Sequence, residues 1–230
     1  MKLLLSIFYL LLFQFSNSQN LLKLYIPEHS TSDSILYYNN FIVGFNVNKC
    51  LPEFSIYLLT KERTKGKIKR TNNFHSDSKI KCVTSSQYIG TGYDKGHLTP
   101  AEDMSFDESS MSDCFVMTNI APQVPNLNRG IWKKLENKVR KEFVQKHDSL
   151  IIISGVISDS LNQIKELNVP KMFFKIIYSI KDDEYIGYVF NNNYYEKNYS
   201  LNNLIVSKKI IENLTKLKFK YNKYDPYYWK

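Results

Sequence analysis

Cysteine and histidine are scarce in this sequence, with 3 Cys and 4 His among 230 residues. None of the cysteines, Cys50, Cys82 and Cys114, has a partner at the short spacing that zinc ligands show. The sequence therefore gives no support for a structural zinc site. If a disulfide forms, the odd count leaves one thiol unpaired, and all three pairings stay open.

Glycine and proline are also few, at 8 and 7 residues. The sequence contains no internal repeat and no stretch rich in Pro, Gly and Ser that would mark a linker. Its length suits one domain of ordinary size, with a core that needs few disulfides. We therefore predict a single domain over residues 19–230.

Long apolar runs are missing after the first fifteen residues. Met1 and Lys2 give a positive start, residues 3–15 are nearly all apolar, and small residues follow at 16 and 18. This pattern predicts a secretory signal peptide over residues 1–18, cut before Gln19, and a secreted or periplasmic protein without membrane attachment. The alternative is a membrane anchor, which the shortness of the apolar run disfavours.

Acidic residues are fewer than basic ones: the sequence has 22 Asp and Glu and 31 Lys and Arg, which gives a formal charge of +9. Such an excess favours polyanionic partners through electrostatic steering and counterion release. The chain is also rich in Asn, Ile and Lys, a composition that AT-rich genomes produce without functional demand. Aromatic residues make up 14 % of the sequence and are typical of half-buried strands and cores.

Hydrophobic periodicity predicts strands and helices in a mixed order, which indicates an α+β fold. The longest predicted helix covers residues 126–147, where Trp132, Leu135, Val139 and Phe143 form one buried stripe. Lys133, Lys134, Lys138, Arg140 and Lys141 are expected on its exposed side. Strands are predicted at 41–45, 54–60, 114–120, 150–155, 172–180 and 185–191, and a last helix at 207–214.

Two polar stretches stand out from this pattern. Residues 93–100 read Tyr-Asp-Lys-Gly-His-Leu-Thr-Pro, and residues 118–123 read Thr-Asn-Ile-Ala-Pro-Gln. At the start of the long helix, residues 128–136 read Asn-Arg-Gly-Ile-Trp-Lys-Lys-Leu-Glu. One histidine, a few amides and a carboxylate are the groups that a one-metal phosphodiesterase needs.

Together these stretches resemble the DNA/RNA non-specific endonucleases, the family of the sugar-non-specific bacterial nucleases and mitochondrial endonuclease G. The family pattern is Asp-Arg-Gly-His, then Asn-x-x-Pro-Gln, then Asn-x-x-x-Trp-x-x-x-Glu. Lys95 replaces the usual Arg. The likeness extends roughly from Tyr57 to Phe219. It implies a ββα-metal (His-Me finger) nuclease core on a central antiparallel sheet with helices on both faces.

By this resemblance His97 is the general base, since a histidine can accept a proton near neutrality. Asn128 is the metal ligand, because an amide oxygen suits Mg²⁺, with Mn²⁺ as a substitute. Taken alone, Asn128 could instead cap the helix. Glu136 lies two turns further and would orient metal-bound water. The competing role for Glu136 is an exposed ion pair with Lys133 or Arg140.

The remaining site residues also follow from the resemblance. Asn119 is counted among the catalytic residues because it shapes the site near the scissile phosphate. Arg70 is expected to grip the phosphate, and its guanidinium offers two parallel donors. Lys95, Arg129 and Asp94 are expected at the substrate-binding surface, where Asp94 braces the loop and does not react.

The sequence therefore predicts a secreted, Mg²⁺-dependent endonuclease that cuts DNA and RNA with little sequence preference. One alternative is a nucleic-acid-binding protein of the same fold that has lost catalysis. A second is a basic adhesin or scaffold in which the motif is coincidental. The sequence leaves open whether DNA or RNA is preferred, and it leaves the oligomeric state open, with a homodimer among the candidates.

Overall fold

An antiparallel sheet runs through the part of the chain that the computed structural model describes, residues 19–28, 34–158, 162–220 and 223–224. The predicted signal peptide, residues 1–18, lies outside the described residues. The strands are β1 Ser34–Tyr37, β2 Phe41–Asn46, β3 Leu51–Thr60, β4 Asp94–His97, β5 Ile120–Gln123, β6 Ser149–Ile157, β7 Asn162–Ile164, β8 Leu167–Val169, β9 Met172–Ser179, β10 Glu184–Asn191, β11 Ile205–Val206 and β12 Lys223–Tyr224.

Eight of these strands form the main sheet in the order β1-β2-β3-β6-β9-β10-β11, with β12 also paired to β10. All of these pairings are antiparallel except that of β12. β6 lies at the middle of the sheet, and all of its residues except Ser149 are buried. Its run of β-branched isoleucines suits a strand that is covered on both faces.

The helices lie on opposite faces of the sheet. They are α1 Glu108–Asp113, α2 from Pro125 to His147 and α3 Lys208–Thr215, and residues 19–23 are also helical. α2 is kinked at Gly130, whose backbone is non-helical with φ −102° and ψ −108°. A π-helical segment follows at Val139–Phe143. Short 3₁₀ turns occur at Arg63–Lys65, Ser86–Tyr88, Ala101–Met104, Met117–Asn119 and Leu201–Leu204.

Side-chain alternation along the strands divides the interior into two cores. On β9, Phe173 and Ile177 pack with α2, whereas Phe174 and Ile176 pack with α3 residue Ile211 on the other face. This alternation is what a two-residue period requires when both faces are covered. The predicted α+β architecture is confirmed.

The two short strands β4 and β5 pair outside the main sheet and lead into α2. Their register sets His97 opposite Ile120 and Gly96 opposite Ala121. A Cβ atom at Gly96 would lie 2.7 Å from Cβ of Gln123, which cannot swing away, so the close pairing of β4 with β5 favours glycine there. This strand–strand–helix unit is the ββα core that the family resemblance implied.

The stripe predicted for α2 is confirmed, since Trp132, Leu135, Val139 and Phe143 are all buried. Arg140 differs from the prediction because its side chain is only 12 % exposed. It turns inward to an ion pair with Asp103 at 2.7 Å.

The strand predicted over residues 114–120 is wrong for most of its length. The N–H groups of Cys114 and Val116 donate to the carbonyls of Ser110 and Asp113, which closes turns after α1. The apolar side chains here are buried, but the strand begins only at Ile120. A short apolar run is compatible with a buried turn as well as with a strand.

The cysteine pairing that the sequence left open is Cys50 with Cys82, which form a disulfide with a Cα–Cα distance of 5.8 Å. Cys114 is buried, and its thiol donates to the carbonyl of Met111 at 3.1 Å. Burial raises the pKa of this thiol to about 12. Among the described residues, no helix combines the length and apolar character that crossing a membrane requires.

Candidate active site

A cleft of about 730 Å³ opens between α2, the end of β4 and the loop that precedes β4. It is lined by six of the eight residues predicted for the site: His97, Asn128, Glu136, Arg70, Lys95 and Arg129. The ββα unit brings the first three together, because β4 ends at His97 and α2 carries the other two. The loop contributes Arg70.

His97 is 8 % exposed and packs against two aromatic rings that also contact each other. Its ring centroid is 5.0 Å from that of Phe115 and 5.4 Å from that of Phe74. Burial and the charge of Arg70 lower the pKa of His97 to about 3, against a smaller opposing effect from the backbone of Lys95. The imidazole is therefore neutral at physiological pH, and its buried Nε2 has no hydrogen-bond partner among the described residues.

Asp94 holds Asn128 and Arg129 in place. Its Oδ2 accepts from Nδ2 of Asn128 and from Nε of Arg129, both at 2.8 Å. Burial alone would raise the pKa of Asp94, but the hydrogen bonds from Arg129 and Asn128 outweigh it and lower the pKa. Because the amide nitrogen of Asn128 is used in this way, its oxygen is left to serve as a ligand. Asp94 thus connects β4 to the start of α2, and it does not line the cleft.

Asn128 does not cap the helix. α2 begins at Pro125, and the N–H of Asn128 already donates to the carbonyl of Val124 at 3.0 Å. The capping alternative that the sequence left open therefore does not apply.

Glu136 is half-buried and accepts a hydrogen bond from the side chain of Trp132. Burial raises the pKa of Glu136, and the positive charges of Lys175 and Arg140 oppose that rise. The alternative of an exposed ion pair with Arg140 is ruled out, since Arg140 pairs with Asp103 instead.

A buried charged network beneath Glu136 was not anticipated from the sequence. Lys175 is 1 % exposed, and its ammonium donates to Oγ of Ser154 at 2.7 Å and lies 4.4 Å from the ring of Trp132. Asp103 accepts from the hydroxyl of Tyr57 at 2.6 Å as well as from Arg140. One signal was present: a lysine in the middle of an otherwise apolar strand indicates an inward-facing charge with a partner.

Asn119 lies behind the cleft and does not line it. Its side chain is fully buried, its Oδ1 accepts from the N–H of Thr99, and its Nδ2 donates to the carbonyls of Thr99 and Cys114. Its amide therefore fixes the backbone that follows His97. Asn119 is predicted as a catalytic residue, and its buried position supports a positioning role for it through the backbone after His97.

Arg70 and Lys95 present their charges at the rim. The guanidinium of Arg70 lies 4.9 Å from the ring of Phe115, and Nζ of Lys95 lies 4.6 Å from that of Phe74. The cleft lining carries more bases than acids even when Arg129 and Arg140, which pair with Asp94 and Asp103, are left out: Lys67, Lys69, Arg70, Lys95 and Lys133 against Glu102 and Glu136. Such a surface attracts phosphates.

No cluster of three or more His, Cys, Asp or Glu side chains suited to a metal occurs among the described residues. The cleft nevertheless offers two hard oxygen donors, the amide of Asn128 and the carboxylate of Glu136. These fit a hard divalent cation that keeps several waters and uses few protein ligands.

Residues 20–225 match the family model of the DNA/RNA non-specific endonucleases. In a crystal structure titled for the mechanism of EndoG inhibition in the EndoG/EndoGI complex, one chain superposes with a TM-score of 0.68. That match covers 80 % of this chain and 84 % of the other at 20 % identity, and it shows the shared fold.

Curated relatives agree with the family. A protein named nuclease from Nostoc sp. is 31 % identical over 157 residues, covering 66 % of this chain and 57 % of its own length. Human mitochondrial endonuclease G is 29 % identical over 136 residues, covering 52 % of this chain and 46 % of its own length. The chain thus spans about half the length of the curated relatives it matches. By its match over most of its length, the chain belongs to the DNA/RNA non-specific endonuclease family.

Proposed function

We propose that this protein hydrolyses phosphodiester bonds in both DNA and RNA, with Mg²⁺ as its metal and Mn²⁺ as a substitute. The observation that carries the proposal is a neutral, buried imidazole in the same basic cleft as an oriented amide oxygen and a carboxylate. A nuclease needs a proton acceptor, a metal ligand and a group that orders water, and the cleft supplies one of each.

His97 is the proton acceptor in this proposal. Its buried Nε2 has no partner among the described residues and would take the proton of the attacking water. The aromatic rings of Phe74 and Phe115 hold the imidazole in one orientation. Because burial lowers its pKa, the imidazole is unprotonated at pH 7, but the same shift makes it a weaker proton acceptor than an imidazole with a pKa of about 7.

Asn128 and Glu136 would hold the metal ion, the first directly and the second through bound water. Such a cation supplies Lewis-acid stabilisation of the phosphate and of the leaving oxygen. Asp94 orients the amide of Asn128, and Trp132 orients the carboxylate of Glu136.

Arg70 is proposed to grip the scissile phosphate, since its guanidinium lies at the rim above His97. Lys95 and Arg129 add positive charge on the same wall. Lysine at position 95 keeps the charge but lacks the paired donors of arginine. These groups suit the phosphate backbone rather than base edges, so little sequence preference is expected.

We further propose that the protein acts outside the cytoplasm. The Cys50–Cys82 disulfide supports this, because disulfides persist in oxidising compartments. The test is the N-terminal residue of the protein recovered from the exporting cell, which we expect to be Gln19. Recovery of the uncut chain from the cytoplasm would contradict it.

The function is tested by incubating the purified protein with plasmid DNA and with total RNA, with Mg²⁺ and with a chelator. We expect both substrates to be cut only when the metal is present. DNA binding without cutting under every metal condition would instead support a binding protein that has lost catalysis.

A metal titration tests the role of Asn128. Asn128→Ala should raise the Mg²⁺ concentration needed for half-maximal rate by roughly 10- to 100-fold, the range seen when metal-site support is lost. Asn202→Ala, at an exposed position away from the cleft, is the control. An unchanged Mg²⁺ requirement in Asn128→Ala would remove Asn128 from the metal site.

A further inference from the structure

A second hollow of about 400 Å³ adjoins the cleft, and the proposed function gives it no task. One wall is formed by Phe74, Tyr88, Ile89 and Tyr93. Its size falls within the roughly 300–1,000 Å³ typical of small-molecule sites. A wall with three aromatic rings is unusual on a surface whose main cleft is lined by charges.

Four further lining residues of this hollow belong to the catalytic cleft as well. Arg70, Lys95, Asn128 and Arg129 line both spaces. A nucleotide chain whose phosphate lies against these residues in the cleft therefore carries its adjoining nucleoside directly to the aromatic wall.

The aromatic rings of this wall differ in how many contacts they already make within the protein. Phe74 packs against His97 and Phe115 and lies under the ammonium of Lys95. Tyr93 is half-buried and makes no ring–ring contact with any described residue, so its ring is left to a ligand. Tyr88 is 5 % exposed and fixes the inner side of this wall.

The backbone holds this wall in a defined shape. Gly90 and Gly92 adopt φ values of +66° and +81°, which side chains with a Cβ rarely accept. Nζ of Lys165 donates to the carbonyl of Ile89 at 2.8 Å and ties the turn to β7 and β8. Ile89 itself is 73 % exposed and extends the apolar surface outward.

We propose that this hollow is a subsite for one unpaired nucleobase next to the scissile phosphate, and that it makes the enzyme favour single-stranded nucleic acid. The inference rests on the proposed nuclease function of the adjoining cleft. Aromatic rings stack on base faces, and every base has such a face, so the subsite is tolerant of sequence. In a duplex the base faces are covered by their neighbours, so a paired base enters only after being flipped out.

The test compares kcat/KM on a single-stranded 20-mer and on the same sequence as a duplex, both with Mg²⁺. The wild type should favour the single strand. Tyr93→Ala should lower kcat/KM on the single strand about tenfold, the effect of losing one base–aromatic stack, with less than about twofold change on the duplex. Tyr93→Phe, which keeps the ring, should behave as the wild type.

Tyr194→Ala is the matched control, because it removes an exposed tyrosine that lines a different hollow. It should change neither rate. Equal losses on both substrates in Tyr93→Ala, or no loss at all, would overturn the subsite.

A second measurement does not depend on any variant folding. A single abasic residue is moved through the single-stranded 20-mer, and the cut positions are mapped for the wild type. We expect cutting to be reduced at one bond beside each abasic position. An unchanged map would overturn the proposal.

Failure of the subsite is distinguishable from failure of the nuclease function. Fluorescence anisotropy with labelled single strand and duplex, in chelator, measures binding without cutting. Tyr93-dependent binding of the single strand without any hydrolysis would retain the subsite and reject the nuclease. Equally fast hydrolysis of single strand and duplex, unchanged by Tyr93→Ala, would retain the nuclease function and reject the subsite.

Discussion

The two faces of the main sheet are built from the same strands but differ in chemistry. On β9, Lys175 points toward α2 and the cleft, whereas its neighbours Phe174 and Ile176 point away into a mainly apolar core. On β6, Ser154 lies on the Lys175 side and Ile153 on the other. Buried charge and hydroxyl groups thus occur under the site, where they contact one another.

The buried charges under the site are expected to stabilise the fold less than apolar residues would. A buried charged network is often no more stable than apolar residues of the same volume, because desolvation offsets much of the attraction. We infer that Lys175 and Arg140 favour the charged state of Glu136, whereas the charge of Asp103 opposes it. Asp103 instead holds Arg140 in place through their ion pair. The other face of the sheet, which packs against α3 and is here called the apolar face, supports no site residue, and its side chains contribute to stability alone.

The largest loss of activity is expected from a change on the face of the sheet that carries α2 and the cleft, here called the site face. His97→Ala should lower kcat about 10²–10⁴-fold, the usual cost of losing a general base, while DNA affinity in chelator is retained. His75→Ala, a histidine outside the cleft, is the control. Near wild-type cutting by His97→Ala would remove it as the base.

Lys175→Met should affect chemistry through Glu136. Because Lys175 lowers the pKa of Glu136, its removal should raise that pKa further, so the carboxylate becomes protonated at a higher pH. The acidic limb of the kcat profile should move to higher pH, and activity should recover as pH is raised. Removing one partner of a buried charge network also costs about 3–5 kcal/mol of stability.

The adjacent residue on the other face provides the control for this experiment. Ile176→Met conserves volume and should cost less than ~1.5 kcal/mol with an unshifted pH profile. If both variants shift the profile alike, the two faces do not differ in the way described.

Acid should destabilise the site face through His97. Its folded pKa of about 3 lies below the unfolded value near ~6.5, so the unfolded chain binds more protons between those values. Stability that is present above pH 6.5 is therefore lost as pH falls toward 3, by up to ~1.4 kcal/mol per pH unit. Urea unfolding across pH 4–7 should show a shallower dependence for His97→Ala. Parallel curves would mean that burial does not depress this pKa.

The smallest effect is expected on the apolar face. Ile153→Val removes one methylene from a fully buried side chain and should cost about 0.5–1.5 kcal/mol of unfolding free energy. Its kcat and pH profile should stay as in the wild type. A changed pH profile would show that the two faces are coupled through the sheet.

Local patterns account for what the sequence could predict. Residues 126–147 carry a helical period, and the motif around His97 is contiguous, so α2 and much of the cleft lining followed directly. The network around Glu136 did not, because Asp103, Arg140 and Lys175 are far apart in sequence and meet only through strand order. The turn at residues 114–119 was mistaken for a strand because burial, and not β pairing, explains its apolar residues.

The buried thiol of Cys114 can be used to measure local opening of the structure. Its thiol is inaccessible, and its raised pKa leaves almost no reactive thiolate at neutral pH. Since the other two cysteines are joined, a thiol reagent can label the described part of the chain only during an opening event. The carbonyl of Cys114 also accepts from Asn119, which supports the backbone after His97. The labelling rate would therefore measure how often the floor of the cleft opens, without an engineered cysteine.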